Sequence, residues 1–278
     1  MRTTLPRRFV SLLGLAALLL ALSCALHGQD DPKDDPPLPD SASDAPAVSP
    51  AISAAPASRD VSFKLLPGNF LQDQKKMWMF PGRLAKGQHW MPTMAVAVGT
   101  LALLSNDPRV GPYFGQTRIF HGFDHVFDSK ITGWETIAIP SSLYAIGLAR
   151  RDSYMRKTAL FAAEAVADSE VIRAVMNSAT RRLRPADIPA AGNYENTFLH
   201  SRSLIGSSFP SGHTIAAVAV ATVIARRYHR QRWVPIAAYG LAGVIGFSRI
   251  SLRAHFPSDV FLGGVLGYAI ARYDVVRE

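Results

Sequence analysis

The spacing of the apolar residues constrains the fold of this chain more than any other sequence feature. From Phe63 onward they cluster at helical spacing rather than at every second position, which is the pattern of amphipathic α-helices. The spacing predicts helices over residues 70–78, 92–104, 134–148, 153–179, 211–228, 233–247 and 258–273. No segment has the alternation typical of a strand. We therefore expect an all-α fold, a helical bundle of about six to seven helices.

Local signals set the expected boundaries of these helices. Ser153 is the expected N-cap of the longest helix, because its hydroxyl can accept a hydrogen bond from the first turn. Pro140 is expected to kink the preceding helix, since proline lacks the N–H of the helical hydrogen bond. Residues 106–108 (Asn-Asp-Pro) and the Gly-, Ser- and Asn-rich residues 185–210 are expected to form loops.

The amino terminus has the layout of an export signal. Three arginines among the first eight residues precede an apolar stretch over residues 9–22, and small residues follow. This pattern predicts a signal peptide over residues 1–25. The chain's single cysteine, Cys24, makes a lipoprotein signal the alternative, in which that cysteine carries a lipid anchor. One cysteine forms neither a disulfide within the chain nor a cysteine metal site.

A linker and one domain follow this signal. Residues 26–60 are rich in Asp, Pro, Ala and Ser, so they bury too little apolar surface to offset the entropy of ordering. We expect a disordered linker there and one folded domain over residues 61–278. The expected location is outside the cytoplasm, in the periplasm or associated with a membrane.

The charge balance favours an anionic partner. Lys plus Arg number 30 against 21 for Asp plus Glu, a net charge of +9. The basic residues are spread along the chain rather than gathered in one long run, which argues against a nucleic-acid-binding tail. We expect a phosphorylated small molecule or lipid as the partner.

The apolar helices are short for membrane spans. The stretches 93–104 and 214–225 would each be about 18 Å long, well under the ~30 Å hydrocarbon core. Glu164 and Asp168 interrupt the longest helix, and charges are costly in lipid. We expect a bundle that lies against a membrane surface, with a polytopic arrangement as the alternative.

Three polar segments, residues 181–185, 209–213 and 248–259, supply the parts of a phosphate pocket. Arg184 and Arg249 carry planar guanidinium groups, which suit a tetrahedral oxyanion. Ser211 and Gly212 lie where a loop becomes a helix, so backbone N–H groups and the helix dipole face an anion there. The glycine allows close approach of the backbone.

Histidines supply the reactive groups. His255 and Asp259 are four residues apart at the start of the last helix. This spacing lets the carboxylate hold one imidazole nitrogen and leaves the other free to attack. His213 is positioned to donate a proton to a leaving oxygen.

Together the segments match the pattern Lys-x6-Arg-Pro, Pro-Ser-Gly-His, Ser-Arg-x5-His-x3-Asp. The chain thereby resembles the type 2 phosphatidic acid phosphatase (PAP2) superfamily, which also contains bacterial class A acid phosphatases and vanadium haloperoxidases. The second and third parts match at every position, over residues 210–213 and 248–259. With the helical pattern included, the resemblance covers residues 63–278.

The resemblance implies hydrolysis of a phosphoric ester in two steps without a metal or another cofactor. His255 would be the nucleophile that forms a phosphohistidine, and Asp259 would orient it. His213 would be the acid for the leaving group and then the base for water. The phosphate-binding residues would be Arg184, Ser211, Gly212, Arg249, Asn177 and Arg182.

One position departs from the pattern. Asn177 stands seven residues before Arg184, where the family has lysine, and no lysine follows Lys157. Arg173, or else Arg181 or Arg182, would have to supply the missing charge. The alternatives are a weakened member that only binds phosphate or lipid, and a vanadium-dependent haloperoxidase.

A second polar cluster has the spacing of a metal site on a helix. It consists of His121, Asp124, His125 and Asp128. The segment contains Gly and Phe and is expected to be a polar loop, so no metal site is predicted there.

Overall fold

The computed structural model describes residues 59–117, 119–127, 129–189, 191–203 and 206–276. The side chains of residues 125, 126 and 129–136 are not included in that description. The predicted signal peptide with Cys24 lies outside the described residues, as does the predicted linker up to residue 58. From Asp60 on, the described residues form one compact unit.

Helices make up the secondary structure of this unit. The α-helices are α1 (Leu66–Trp78), α2 (Phe80–Ala85), α3 (Trp90–Leu104), α4 (Asp107–Gln116), α5 (His121–Val126), α6 (Ser129–Ala149), α7 (Ser153–Thr180), α8 (Gly212–Arg227), α9 (Trp233–Ser251) and α10 (Pro257–Ala269). A 3-10 turn spans Pro185–Asp187, and a π-helix spans Ile270–Val275. Within the described residues there is no β-strand. The all-α prediction is confirmed, although the helices outnumber the six to seven expected.

The helix α4 begins in a segment that the sequence predicts to be a loop. Asp107 is its first residue, and Pro108 follows within the first two positions. Proline is tolerated there because the N–H that it lacks would have no helical acceptor. The Asn-Asp-Pro sequence therefore marks the start of a helix, and the loop prediction for residues 106–108 is wrong.

Two further boundaries differ from the predictions. The N-cap of α7 is Asp152, whose carboxylate accepts a hydrogen bond of 2.9 Å from the backbone N–H of Met155. The predicted cap, Ser153, is the first helical residue instead. The helix α9 extends past residue 247 to Ser251. Pro140 lies inside α6, and a kink there stays a prediction.

The helix α8 is the central element of the unit. It packs against α7, α9 and α10, and from Thr214 to Ala225 nearly every residue is buried. Against α9 the contact is made by small side chains, with Ala217 and Ala221 facing Ala242. Small residues let two helices approach closely, so α8 is held on all sides.

Glycines bring α10 against the backbone of α8. A Cβ at Gly263 would lie 2.9 Å from the carbonyl oxygen of Ser211, and one at Gly267 would clash with the carbonyl oxygen of Ile215. The two helices therefore need these glycines to run side by side. This packing places the N-terminal ends of α8 and α10 next to each other.

An apolar surface is exposed on α3 and α9. Thr100 is the one buried residue of α3, and Ile236 on α9 is 74% exposed. Among the described residues, α9 alone is both long enough and apolar enough to cross a membrane, as judged by length and composition. Its 19 residues correspond to about 28 Å.

Candidate active site

The three motif segments meet at the N-terminal end of α8. The backbone N–H of Ser211 donates to the carbonyl oxygen of Asp259 across 3.0 Å, which joins the starts of α8 and α10. The N–H of Ser208 donates to the carbonyl oxygen of Arg182 across 2.9 Å, which ties the loop before α8 to the segment after α7. Residues far apart in sequence therefore share one site.

The imidazole of His255 lies at the centre of this site. It is 3% exposed, and its Nδ1 lies 2.7 Å from the carbonyl oxygen of Ser208. Asp259 Oδ2 is farther away, at 3.7 Å. A carbonyl oxygen only accepts hydrogen bonds, so Nδ1 carries the proton and Nε2 keeps its lone pair. The nearest partner of Nδ1 is thus a loop carbonyl, with the Asp259 carboxylate farther away. Orientation of the ring by Asp259 stays a prediction.

The surroundings of His255 favour its neutral form. Burial lowers the pKa of this histidine below its ordinary value of 6.5, and the positive charge of Arg184 lowers it further. The Asp259 carboxylate and the Ser208 carbonyl act in the opposite direction. A neutral imidazole with an available Nε2 is the form that can act as a nucleophile.

Asp259 is the third residue of α10 and is held by three donors. Its Oδ1 accepts from Arg182 Nη1 across 2.5 Å. Its Oδ2 accepts from the Ser208 hydroxyl across 2.5 Å and from the Phe256 backbone N–H across 2.7 Å. The last bond satisfies a free N–H at the start of the helix. Asp259 therefore fixes Ser208, whose carbonyl in turn holds His255.

Arg182 is buried against Asp259. It is 2% exposed, and its guanidinium donates to Asp259, Ser258, Asp107 and Thr197 at 2.5–3.0 Å. The ring of Phe256 covers it at 4.1 Å. All three guanidinium nitrogens donate to buried protein acceptors, and phosphate binding by Arg182 stays a prediction.

Asp107 belongs to the same buried network, although sequence reasoning missed it. From the first turn of α4 it accepts from Arg182 Nη2 across 2.7 Å and from the hydroxyl of Ser258. Burial raises the pKa of Asp107, and its bonds to Ser258 and Arg182 act against that rise. No motif includes Asp107, and an Asp before a proline has the same appearance in an ordinary loop.

Arg184 is a half-buried cation whose charge acts on the reactive histidine. Its Nε donates to the Gly206 carbonyl oxygen across 3.0 Å. Burial lowers the pKa of Arg184, and the carboxylates of Asp187 and Asp259 raise it. Its positive charge also lowers the pKa of His255, and phosphate binding by Arg184 stays a prediction.

At Ser211 the start of α8 has one fewer backbone N–H available to an anion than the sequence predicts. The N–H of Ser211 is used by the carbonyl oxygen of Asp259, so it is not available to an anion. Its hydroxyl accepts from Thr214 Oγ1 across 2.9 Å and can still donate its own proton. Gly212 and His213 are the first two residues of α8, where backbone N–H groups have no helical acceptor.

Two predicted phosphate ligands are buried. Arg249 is fully buried, and its Nη2 donates to the Phe127 carbonyl oxygen across 2.5 Å and to the Ser248 hydroxyl across 2.9 Å. Asn177, on α7, is 2% exposed. Its backbone carbonyl oxygen accepts a hydrogen bond of 2.8 Å from the Ser207 hydroxyl. Phosphate binding by either residue stays a prediction.

Three residues of the second polar cluster, His121, Asp124 and His125, lie on the helix α5 and not in a loop. His121 begins α5, and Asp124 accepts a hydrogen bond of 2.6 Å from the Ser251 hydroxyl. The side chains of His125 and Asp128 lie outside the description. Among the side chains that are described, no three His, Cys, Asp or Glu residues come together as metal ligands would.

Comparison with known families finds a match. Residues 158–276 match the family model of the PAP2 superfamily. Over these residues the chain is similar to PAP2 proteins. The matched region runs from α7 to the π-helix and contains every motif segment described above.

Two known proteins are similar to this chain. Over 81 residues it is 37% identical to lipid A 1-phosphatase of Porphyromonas gingivalis, an alignment that covers 29% of this chain and 18% of that protein. The chain thus matches about a fifth of the length of this curated protein. Among solved structures it is similar to the first transmembrane PAP2 type phosphatidylglycerolphosphate phosphatase from Bacillus subtilis. The TM-score is 0.44 with 20% identity, covering 64% of this chain and 91% of that one.

Proposed function

We propose that this protein is an exported, metal-independent phosphatase that hydrolyses phosphate esters, lipid phosphates in particular, through a phosphohistidine at His255. The observation that carries the proposal is the 2.7 Å contact between His255 Nδ1 and the Ser208 carbonyl oxygen. It fixes the proton on Nδ1 and leaves Nε2 as the nucleophile in a buried, neutral ring.

In the first step, Nε2 of His255 attacks phosphorus and forms an N–P bond. The bond between phosphorus and the ester oxygen breaks, and its electron pair goes to that oxygen. His213, in its cationic form, donates a proton to the oxygen, so the alcohol leaves neutral. The phosphorylated ring gains positive charge, which the Ser208 carbonyl and the Asp259 carboxylate stabilise.

In the second step, water attacks the phosphohistidine. Neutral His213 accepts a proton from the water as the new P–O bond forms. The N–P bond breaks, its electron pair returns to Nε2, and inorganic phosphate is released. Both histidines then have their starting protonation states, so the cycle is balanced.

Negative charge on the phosphoryl oxygens is held by fixed donors. Arg184 supplies a guanidinium beside His255, and Gly212 supplies a backbone N–H at the start of α8. Donors that are already in place stabilise the transition state because they need not reorganise. These groups supply the charge, and His255 supplies the nucleophile, so the reaction needs no metal.

The exposed apolar surface supports a lipid substrate and a membrane-bound location. Apolar side chains on α3 and α9, among them Met91, Leu101 and Ile236, are more than half exposed. A surface of this kind marks a membrane or partner contact. Similarity to a lipid A 1-phosphatase points to the same class of substrate. We propose that the domain acts at the outer side of the cytoplasmic membrane or in the periplasm.

The test compares three reactions of the purified full chain. We expect release of phosphate from p-nitrophenyl phosphate, and from phosphatidate or lipid A in mixed micelles, in the presence of EDTA. Orthovanadate should inhibit it, and His255→Ala should abolish it. Halide oxidation by vanadate-loaded protein with peroxide would instead indicate a haloperoxidase. Phosphate binding without any hydrolysis would indicate a non-catalytic member, and either result would overturn the proposal.

A further inference from the structure

The side chain of Arg173 lies across the start of α8. A Cβ at Gly212 would clash with Cδ of Arg173 and would come within 3.1 Å of its Nε. The missing side chain at Gly212 is therefore what makes room for this arginine. Arg173 itself projects from α7, about one helical turn before Asn177.

Arg173 also acts electrostatically on Arg184. Burial is the main cause that lowers the pKa of Arg184, and the positive charge of Arg173 lowers it further. Glu170 accepts from Arg173 across 2.7 Å, and its side chain is nearly half exposed. Like charges repel, so a pair of guanidinium groups at a helix N-terminus is suited to a bound dianion.

The other two arginines near Asn177, Arg181 and Arg182, donate to acceptors within the protein. Arg181 ends α7 with a positive φ of 45°, and its Nε donates to the Ser201 carbonyl oxygen across 3.1 Å. Arg182 is buried against Asp259 and Asp107. Of the three arginines near Asn177, only Arg173 lies over the start of α8.

From this placement we infer that Arg173 binds the phosphoryl oxygens of the substrate together with Arg184 and takes the part of a cation that Asn177 cannot supply. The inference rests on the proposed function, since it names a further residue of the same site. It also gives Gly212 a second reason to be glycine, because any side chain there would displace Arg173.

The test measures binding of orthophosphate by calorimetry, which requires no turnover, together with kcat/KM for p-nitrophenyl phosphate. We expect Arg173→Gln to weaken both at least tenfold, about 1.4 kcal/mol, and Arg173→Lys to recover part of the loss. Arg181→Gln is the matched control, with the same change eight residues later and a guanidinium bound to a loop carbonyl. It should change phosphate binding less than twofold.

A second pair of variants separates Arg173 from Asn177. We expect Asn177→Lys not to raise the affinity for phosphate, because the charge is already present. Gly212→Ala should weaken binding in the manner of Arg173→Gln. The inference is overturned if Arg173→Gln binds phosphate as the wild type does, or if Asn177→Lys raises affinity clearly. A wild type that binds phosphate without hydrolysing it would contradict the proposed function, while the role of Arg173 would still be decided by calorimetry.

Discussion

The Nδ1 atom of His255 lies nearer to the backbone carbonyl of Ser208, at 2.7 Å, than to the carboxylate of Asp259, at 3.7 Å. The proton on Nδ1 is therefore held by a group that no side-chain substitution removes. Asp259 acts on the ring through its charge and through its hydrogen bond to the Ser208 hydroxyl.

Substitution of Asp259 by Asn should therefore leave the tautomer of His255 intact. In a triad where the carboxylate alone fixes the tautomer, the same change costs about 10⁴ in kcat. Here we expect a loss of roughly 10–10², measured as kcat on p-nitrophenyl phosphate. The Nδ1 proton should stay visible by NMR. A loss near 10⁴ with a deprotonated Nδ1 would show that Asp259, and not Ser208, holds the ring.

The pH dependence should follow the neutral form of His255. Its pKa is lowered by burial and by Arg184, so kcat/KM should begin to fall only below pH 6.5, as the ring becomes protonated. Replacing Arg184 by Gln removes a positive charge that opposes protonation, so the pKa of His255 should rise. NMR titration of the free protein measures it, with Arg181→Gln as the control. An unchanged pKa of His255 in Arg184→Gln would count against the electrostatic effect of Arg184 on this ring.

The buried arginine network should dominate local stability. Removing one partner of a buried ion pair typically costs about 3–5 kcal/mol. Arg182→Met would leave Asp107 and Asp259 buried without their shared cation, so we expect a loss in that range by urea unfolding, and a smaller one for Asp107→Asn. The matched control is Lys157→Met, which breaks an exposed pair with Asp60 and should cost under about 1 kcal/mol. Equal losses for Arg182→Met and Lys157→Met would refute the structural role.

Negative charges introduced on α9 should lower the rate on a lipid substrate but not the rate on a soluble one. Glutamate at Ile236 and Val244, both exposed, would have to be removed from water if this face enters lipid. We expect the double variant to lose at least tenfold in rate on phosphatidate in vesicles and to keep its rate on p-nitrophenyl phosphate. Leu199→Glu, at a loop residue that is 65% exposed, is the control. Similar ratios of the two rates in all three proteins would argue against a membrane contact through α9.

The fold and the motif residues were predictable because they depend on local patterns. Apolar periodicity gave the helices, and the order of Arg184, His213, His255 and Asp259 along the chain gave the site. Asp107 was not predictable, because its partner Arg182 is 75 residues away and its own neighbours have a loop-like sequence. The role of Ser208 was hidden for another reason, since it depends on a backbone carbonyl and any residue carries one.

For the predicted phosphate ligands, too, the sequence predicted the residue types but not their hydrogen-bond partners. Residue type and spacing predicted that Ser211 would offer its N–H, but packing of α8 on α10 gives that N–H to Asp259. Arg182 has the residue type of a phosphate ligand, yet buried carboxylates from α4 and α10 occupy it. Tertiary packing decides whether such a donor binds a protein acceptor or is left for phosphate. The spacing of residues along the chain carries no information about that packing.

The most direct test of the account is the identity of the covalent intermediate. Full-length protein mixed with ³²P-labelled phenyl phosphate and quenched rapidly in base should carry label, because phosphohistidine resists base and is lost in acid. Phosphorus NMR and peptide mapping should then locate the phosphoryl group on Nε2 of His255, and His255→Ala should carry no label. Label on another residue would contradict the account. Hydrolysis by the wild type with no base-stable phosphoprotein, when the reaction is quenched within half of a turnover, would also contradict it.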